Sequence, residues 1–437
     1  MTPVKPRKWK RSWFRSTAAL SRHLVVASVS LALFVGGVAL TFRSQLRPTV
    51  EGVAQTWADW LQPFLRTSNP DVIIHGFGLI LLVLGTLGIL QGARGFISKL
   101  TGGESGGSGM GINDYVRKHQ LTNGPRVVAI GGGTGLSTLL RGVKQYTSNI
   151  TAIVTVTDDG GSSGRLVTDL GIMPPGDIRQ CLVALADAET RMTDVFQHRF
   201  TRSAGALAGH NIGNLLIAGF IERAGGDMDG ALELASGVLN IRGRVVPSTK
   251  DHVSLTALLA DGSQIAGETA IVESGQRISQ LRLCPQEARA HPDALQAIAE
   301  ADLICIGPGS VFTSVIPNLL VKGIAEAIQR SSAKKVYICN VMTQRGESES
   351  FTAAEHVVAI HSNVPIRVFD YVLVNTAVPT QQILEKYRES DQGLVAADID
   401  RIKHMGLKPV AGNFMSETDL VRHDPFKVAA RLFQLLN

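Results

Sequence analysis

The sequence predicts an α/β protein with a largely parallel sheet flanked by helices, behind two N-terminal membrane-spanning helices. Three observations carry this. Two apolar stretches, residues 24–42 and 72–90, hold no Asp, Glu, Lys or Arg. From residue 125 onward, short β-branched runs alternate with helical patterns, the mark of βαβ units. Glycine-rich turns stand where those runs end, and such turns let a backbone approach a ligand closely.

The apolar stretches come first in the chain. Each is 19 residues long and at about 1.5 Å per residue spans roughly 28 Å, close to a bilayer's hydrocarbon core. Glycines 36, 37, 76, 78, 85 and 88 suit close packing of helices in a membrane. The net charge of +6 is concentrated in the tail before the first stretch, where Lys5, Arg7, Lys8, Lys10, Arg11, Arg15 and Arg22 meet no acid. Between the stretches Arg43, Arg47 and Arg66 are balanced by Glu51, Asp59 and Asp71; after them come Arg94, Lys99, Arg117 and Lys118. Positive flanks stay inside, so the expectation is a multi-pass protein of the inner (plasma) membrane with both termini and the α/β domain cytoplasmic. Trp9, Trp13 and Phe14 read as interfacial aromatics of that tail, so no nucleic-acid partner is expected and the bilayer is. A cleaved signal peptide fits poorly, because the first stretch is long and a second follows. Cys181, Cys284, Cys305 and Cys339 form no C-x-x-C pair, which excludes a disulfide framework or zinc pattern.

Residues 101–111, TGGESGGSGMG, are a flexible linker, and the domain follows over 112–437. The patterns predict strands at 126–130, 150–157, 278–283, 303–306, 335–340 and 371–375. They predict a hairpin over 255–268 about the Asp261-Gly262 turn. Helices are expected at 136–146, 177–188, 211–223, 316–330, 352–362 and 425–436.

Five loops carry the chemistry. Gly131, Gly132, Gly133, Thr134 and Gly135 run from a strand into a helix, so backbone N–H groups there face an anion. The spacing is neither a P-loop nor a dinucleotide fingerprint, whose third glycine would fall on Leu136; an NAD dehydrogenase is disfavoured. Asp158 and Asp159 end the second strand as adjacent carboxylates, able to hold Mg²⁺, accept from a ribose or base, or act as a base. An Asx turn is the bland alternative for one of them. Asp177 either caps a helix or points with Arg179 into the site. Asn211 and Asn214 offer donors and acceptors to a base or sugar, while His210 beside them is a weak general-acid candidate. Gly307, Gly309 and Ser310, with Thr313 and Ser314, form a second phosphate cradle, and Asn340 and Asn375 end the next strands. Residues 343–347, TQRGE, read as a solvated loop or lid.

The blocks VVAIGGGTGLSTLLRG, VTVTDDGGSSGRL, PPGDIRQCLVALAD, GHNIGNLLIAG, IGPGSVFTSVIPNLLV and YICNVMTQRGE, in that order, resemble the YvcK-type gluconeogenesis factor family of the CofD-like superfamily. The resemblance covers about 125–437 and implies a Rossmann-like domain. For the YvcK branch it implies binding of a UDP-sugar, UDP-N-acetylglucosamine or UDP-glucose, and a role in cell shape, peptidoglycan precursor supply and gluconeogenic growth. Cell-wall synthesis proteins and a second copy of the chain are the partners then expected. For the CofD branch it implies a 2-phospho-L-lactate transferase that moves phospholactate from a guanosine diphosphate-linked donor to the deazaflavin Fo, with Mg²⁺. Ligand contacts carry over onto Gly131–Gly135, Asp158, Asp159, Asn211, Asn214 and the 307–310 loop. The DDGGSSGRL and PPGD wording is nearer the YvcK branch, which favours a ligand-binding regulator over an enzyme.

Overall fold

A computed structural model describes residues 28–42, 70–100, 120–187, 189–201, 205–417 and 420–436. The basic tail and the linker at 101–111 lie outside these. The chain divides into two compact units, Met1–Lys118 and His119–Asn437.

In the first unit, helix Ser28–Thr41 packs on helix Pro70–Leu100. A Cβ added at Gly37 would sit 2.5 Å from Leu82 N, and one at Gly85 would sit 2.5 Å from Phe34 N. Positions rise along one helix as they fall along the other, so the pair is antiparallel, and glycine is what lets the backbones meet. Leu79, Ile80, Val83, Leu84 and Leu87 turn outward. The segment His75–Arg94 is long and apolar enough to cross a membrane, whereas the described part of the first helix is shorter.

The second unit is built on a seven-stranded sheet. Its strands are β1 (Val127–Gly131), β2 (Ile150–Val154), β3 (Arg244–Pro247), β7 (Leu303–Ile306), β8 (Lys334–Ile338), β9 (Tyr371–Asn375) and β10 (Lys408–Gly412). The order is β10-β9-β8-β7-β1-β2-β3, with every pairing parallel. The intervening strands β4 (Ser254–Leu259), β5 (Gln264–Ala266) and β6 (Ile278–Cys284) make a separate antiparallel sheet, with the expected hairpin between β4 and β5. A last antiparallel pair joins β11 (Met415–Glu417) and β12 (Val421–His423).

Alternation along the strands makes two cores. Val128, Ile130, Ile304 and Ile306 face one side; Val127, Ala129, Leu303 and Cys305 face the other. All are essentially inaccessible, and each large aliphatic buried this way contributes about 1.5–3 kcal/mol. Both faces are covered, so the strands read as continuous apolar runs. All four cysteines are free.

Two expectations differ in detail. Residues 161–170, for which no element is predicted, form helix Gly161–Leu170, with Ser162, Ser163 and Leu166 buried. The helix expected at 316–330 is broken: Val311–Leu320 is one helical run, and a second, Ile324–Arg330, restarts after Gly323 at φ +102.

The chain leaves β1 for β2 and β3 on one side, then returns to β7, β8, β9 and β10 on the other. The reversal falls between β1 and β7, whose residues Ile130 and Ile306 lie side by side. Ligands of open α/β sheets bind outside the strand ends at such a point.

Candidate functional site

The turns after β1 and β7 flank a cavity of ~540 Å³. Gly132 is extended and Gly133 is left-handed at φ +61, opening helix Gly133–Val143. No Cβ fits at Gly132, where it would lie 2.3 Å from Asp177 Oδ2, or at Gly135, where it would lie 2.4 Å from the Pro308 carbonyl oxygen. The two turns therefore touch, backbone to backbone.

Of the predicted residues, Gly132, Gly133, Thr134, Gly135, Asp158, Asp177, Gly309, Ser310 and Asn340 line this one cavity. Gly131 and Gly307 end and follow their strands without lining it. Asp159 also lies outside the lining: its carboxylate accepts from Glu268 N at 2.8 Å, Thr269 N at 2.9 Å and Thr269 Oγ1 at 2.7 Å. It caps the distant helix Glu268–Glu273, whereas the Asx turn weighed for one of the two acids is made by Asp158, whose Oδ1 accepts from Gly160 N at 3.0 Å. Asn211 and Asn214 are likewise structural here. Asn211 Oδ1 caps its helix by accepting from Asn214 N at 3.3 Å, and Asn214 Oδ1 accepts from Arg179 Nε at 2.8 Å. His210 Nδ1 pairs with Ser162 Oγ at 3.1 Å.

Four carboxyl groups line the cavity: Asp158, Asp177, Glu268 and Glu347. Burial, then the Asp158 charge, pushes Asp177 up to about 7, against the Gly133 N–H and Arg179. Burial, then Asp158 and Asp177, pushes Glu268 up to about 9. Burial also raises Glu347, and bonds from Ser310 and Thr313 oppose it. Like charges in one desolvated space cannot all ionise freely. Among the described residues no group of three or more His, Cys, Asp and Glu is arranged as a complete metal site. Mg²⁺ usually takes one or two carboxylates and completes its octahedron with ligand phosphates and water, and Asp158 with Asp177 fit that partial role.

Sequence reasoning missed the far wall. Glu268 comes from the small sheet's helix, Gln392 from a late loop, and Val421, Arg422 and His423 from β12. Among the described residues, Arg422 is the one Lys or Arg in the lining. Burial holds His423 down at about 4. Segment 343–347 is no solvated loop, since Thr343 and Glu347 are buried. Among the described residues no Phe, Tyr or Trp lines the cavity.

Comparison with known proteins agrees with this architecture. Residues 127–415 match the family model described as 2-phospho-L-lactate transferase CofD. The gluconeogenesis factor of Bacillus subtilis is 47% identical over 313 residues, 71% of this chain and 98% of that protein. A Nostoc protein named "Putative gluconeogenesis factor" is 42% identical over 430 residues, 97% of this chain and 91% of its own length, so that match runs through the N-terminal unit as well. A crystal structure of a UPF0052 family member from Bacillus halodurans superposes with TM-score 0.67 at 44% identity, covering 71% of this chain and 99% of that one. The chain belongs to the gluconeogenesis factor (UPF0052, YvcK) family, and its α/β unit is a CofD-like domain.

Proposed function

We propose that this chain is a membrane-anchored regulator that binds a UDP-sugar, UDP-N-acetylglucosamine or UDP-glucose, in the cavity between the β1 and β7 turns. Through that ligand it tunes peptidoglycan precursor supply, cell shape and gluconeogenic growth, as a homo-oligomer beside wall-synthesis proteins. The supporting observation is the cavity itself: a switch-point crevice with backbone donors at one glycine turn, hydroxyl and amide side chains opposite, and one arginine at the rim. Mg²⁺ held between Asp158, Asp177 and the diphosphate would offset the repulsion of the acidic floor.

Titration calorimetry on the full-length protein in detergent tests this. A UDP-sugar should bind with a dissociation constant on the order of micromolar, and Arg422→Ala should weaken it about tenfold by removing one charge-assisted bond to phosphate. A GDP response that requires Mg²⁺, with none to UDP-sugars, would replace this reading with a CofD-type transferase. The matching family model favours that second reading; the absence of aromatic rings from the lining, where a deazaflavin would stack, weighs against it.

The anchor rests on the glycine-packed helix pair and on the positive flanks, which together support a two-helix transmembrane hairpin with the α/β domain and both termini cytoplasmic. The full-length protein should stay in the membrane pellet after alkaline carbonate washing, and a chain lacking residues 1–100 should be released. Wild-type protein in the supernatant would rule the hairpin out.

A further inference from the structure

Three glutamines line the cavity: Gln180, Gln344 and Gln392. A side-chain amide has a donor end and an acceptor end, and the end that meets a ligand depends on what holds the other. Gln180 Oε1 meets the Thr134 hydroxyl at 3.3 Å, and a hydroxyl can serve either end. No hydrogen bond among the described residues holds the Gln392 side chain.

Gln344 differs, because backbone groups set its orientation through Asn340. The Gly309 N–H donates to Asn340 Oδ1 at 3.2 Å, and Asn340 Nδ2 donates back to the Gly309 carbonyl at 2.9 Å. A backbone N–H only donates and a carbonyl only accepts, so the Asn340 amide has one orientation. Its second Nδ2 hydrogen goes to Gln344 Oε1 at 3.1 Å. The acceptor end of Gln344 is thereby turned toward Asn340, and its Nε2, with two N–H groups, has no partner among the described residues. The main chain at this position is held too: Gln344 N donates to Ser348 Oγ at 3.1 Å, and the Gln344 carbonyl accepts from Ser348 N at 2.9 Å. Asn340, expected as a ligand contact, has no N–H left to give one.

The surroundings of this donor indicate what it meets. Val341, Met342 and Val421 line the cavity beside it and belong to one apolar cluster. Gln344 follows β8, whereas Asp158 follows β2, and β7 and β1 lie between those strands. The apolar wall is therefore on the side of the sheet away from that acid. A thioether and two branched aliphatic side chains suit the face of a heterocycle, and phosphates or sugar hydroxyls have no use for them. At the edge of a base, an N–H donor is matched by O4 of uracil or O6 of guanine, while cytosine and adenine present an amino donor at the same place.

We propose that Gln344 reads the base of the bound nucleotide: its Nε2 donates to the ring carbonyl of a keto base, uracil here, and rejects the amino bases. Asn340 is the positioning residue that keeps the donor turned toward the ligand. This deepens the sugar-nucleotide reading and rests on it.

The test compares UDP-glucose with CDP-glucose by calorimetry on the full-length protein in detergent. Wild type should favour UDP-glucose about tenfold, because a donor facing the cytosine amino group is left unpaired. Gln344→Ala should weaken UDP-glucose about tenfold and leave CDP-glucose within about twofold of wild type, erasing the preference. Gln344→Glu keeps the shape and the bond from Asn340 but turns an acceptor to the base. Its charge weakens both ligands, and the preference should reverse toward CDP-glucose. A residue that only braces the loop would lower both affinities in proportion, so an unchanged preference in either folded variant overturns the proposal. Wild-type protein that binds both ligands equally overturns it as well and leaves the sugar-nucleotide reading standing. If wild type binds GDP but no UDP-sugar, that reading fails by itself. The same comparison is then made between GDP and ADP, where a missing preference, or one that survives Gln344→Ala, sinks the inference too. Wild-type protein that binds none of these ligands overturns both.

Discussion

Gly135→Ala should abolish UDP-sugar binding at concentrations that saturate the wild type and cost about 1–3 kcal/mol of stability, the range for overpacking a close contact. The added methyl would meet three backbone atoms of the β7 turn: Pro308 O at 2.4 Å, Pro308 C at 2.7 Å and Gly309 Cα at 2.9 Å. Backbone cannot rotate away as a side-chain end can, so the turns must separate. That separation moves the Thr134 and Gly135 N–H groups relative to Ser310, and about 1 Å of misplacement is enough to lose a directional contact. Gly131→Ala is the control, since its Cβ would meet nothing closer than Leu136 Cβ at 3.7 Å. Calorimetry and thermal melts on both variants decide it; a Gly135→Ala protein that binds like Gly131→Ala would refute the contact as a determinant of the site.

Stability should fall as pH rises from 7 to 9, by on the order of 2 kcal/mol, and Glu268→Gln should remove most of that fall. The sign follows from proton counts. Glu268 is pushed up to about 9 in the folded chain from an ordinary 4.5, so across this window the native state holds a proton that the unfolded chain has lost. Raising the pH through the folded value forces a charge into a space already shared with Asp158 and Asp177. Asp177, at about 7, makes the same contribution earlier, between about 4 and 7. His423, held down at about 4, acts with the opposite sign, but only below its ordinary value of 6.5. Of these three groups, Glu268 dominates the interval from 7 to 9. Millimolar Mg²⁺ should flatten the profile if the cation sits among these carboxylates. A wild-type melting temperature that is level from pH 7 to 9 would contradict the buried-acid account.

The sheet's centre was readable in the sequence and its margins were not. Residues 127–130, 150–157 and 303–306 are buried, so their apolar runs announce central strands. The two edges, β3 as RVVP and β10 as KPVAG, are short, carry a charge and a proline, and have no such signal. Those are devices that protect edges from mispairing, and they also hide edges from a reader of patterns. The site divides in the same way. Turns that follow a strand directly, at Gly132–Gly135 and Gly307–Ser310, advertise themselves by glycine and hydroxyl content. Glu268, Glu347 and Arg422 reach the cavity from elements whose local sequence is ordinary; only the tertiary fold brings Arg422 beside a turn nearly 300 positions earlier. Asp158 and Asp159 show the limit most directly. Adjacent and alike in sequence, one lines the cavity and the other caps a helix, and only the tertiary fold, which brings Glu268 and Thr269 to Asp159, tells them apart.

The pairing of β1 with β7 has a consequence for biosynthesis. β1 is central, yet one of its two neighbours, β7, lies more than 170 residues downstream, and the cavity's rim closes only with β12 near the C-terminus. A nascent chain halted between β1 and β7 carries the glycine turn of β1 with an open sheet edge beside it, a state prone to misassociation. The cavity is complete only when β12 is in place, so a ligand held there would stabilise full-length protein selectively over truncated chains.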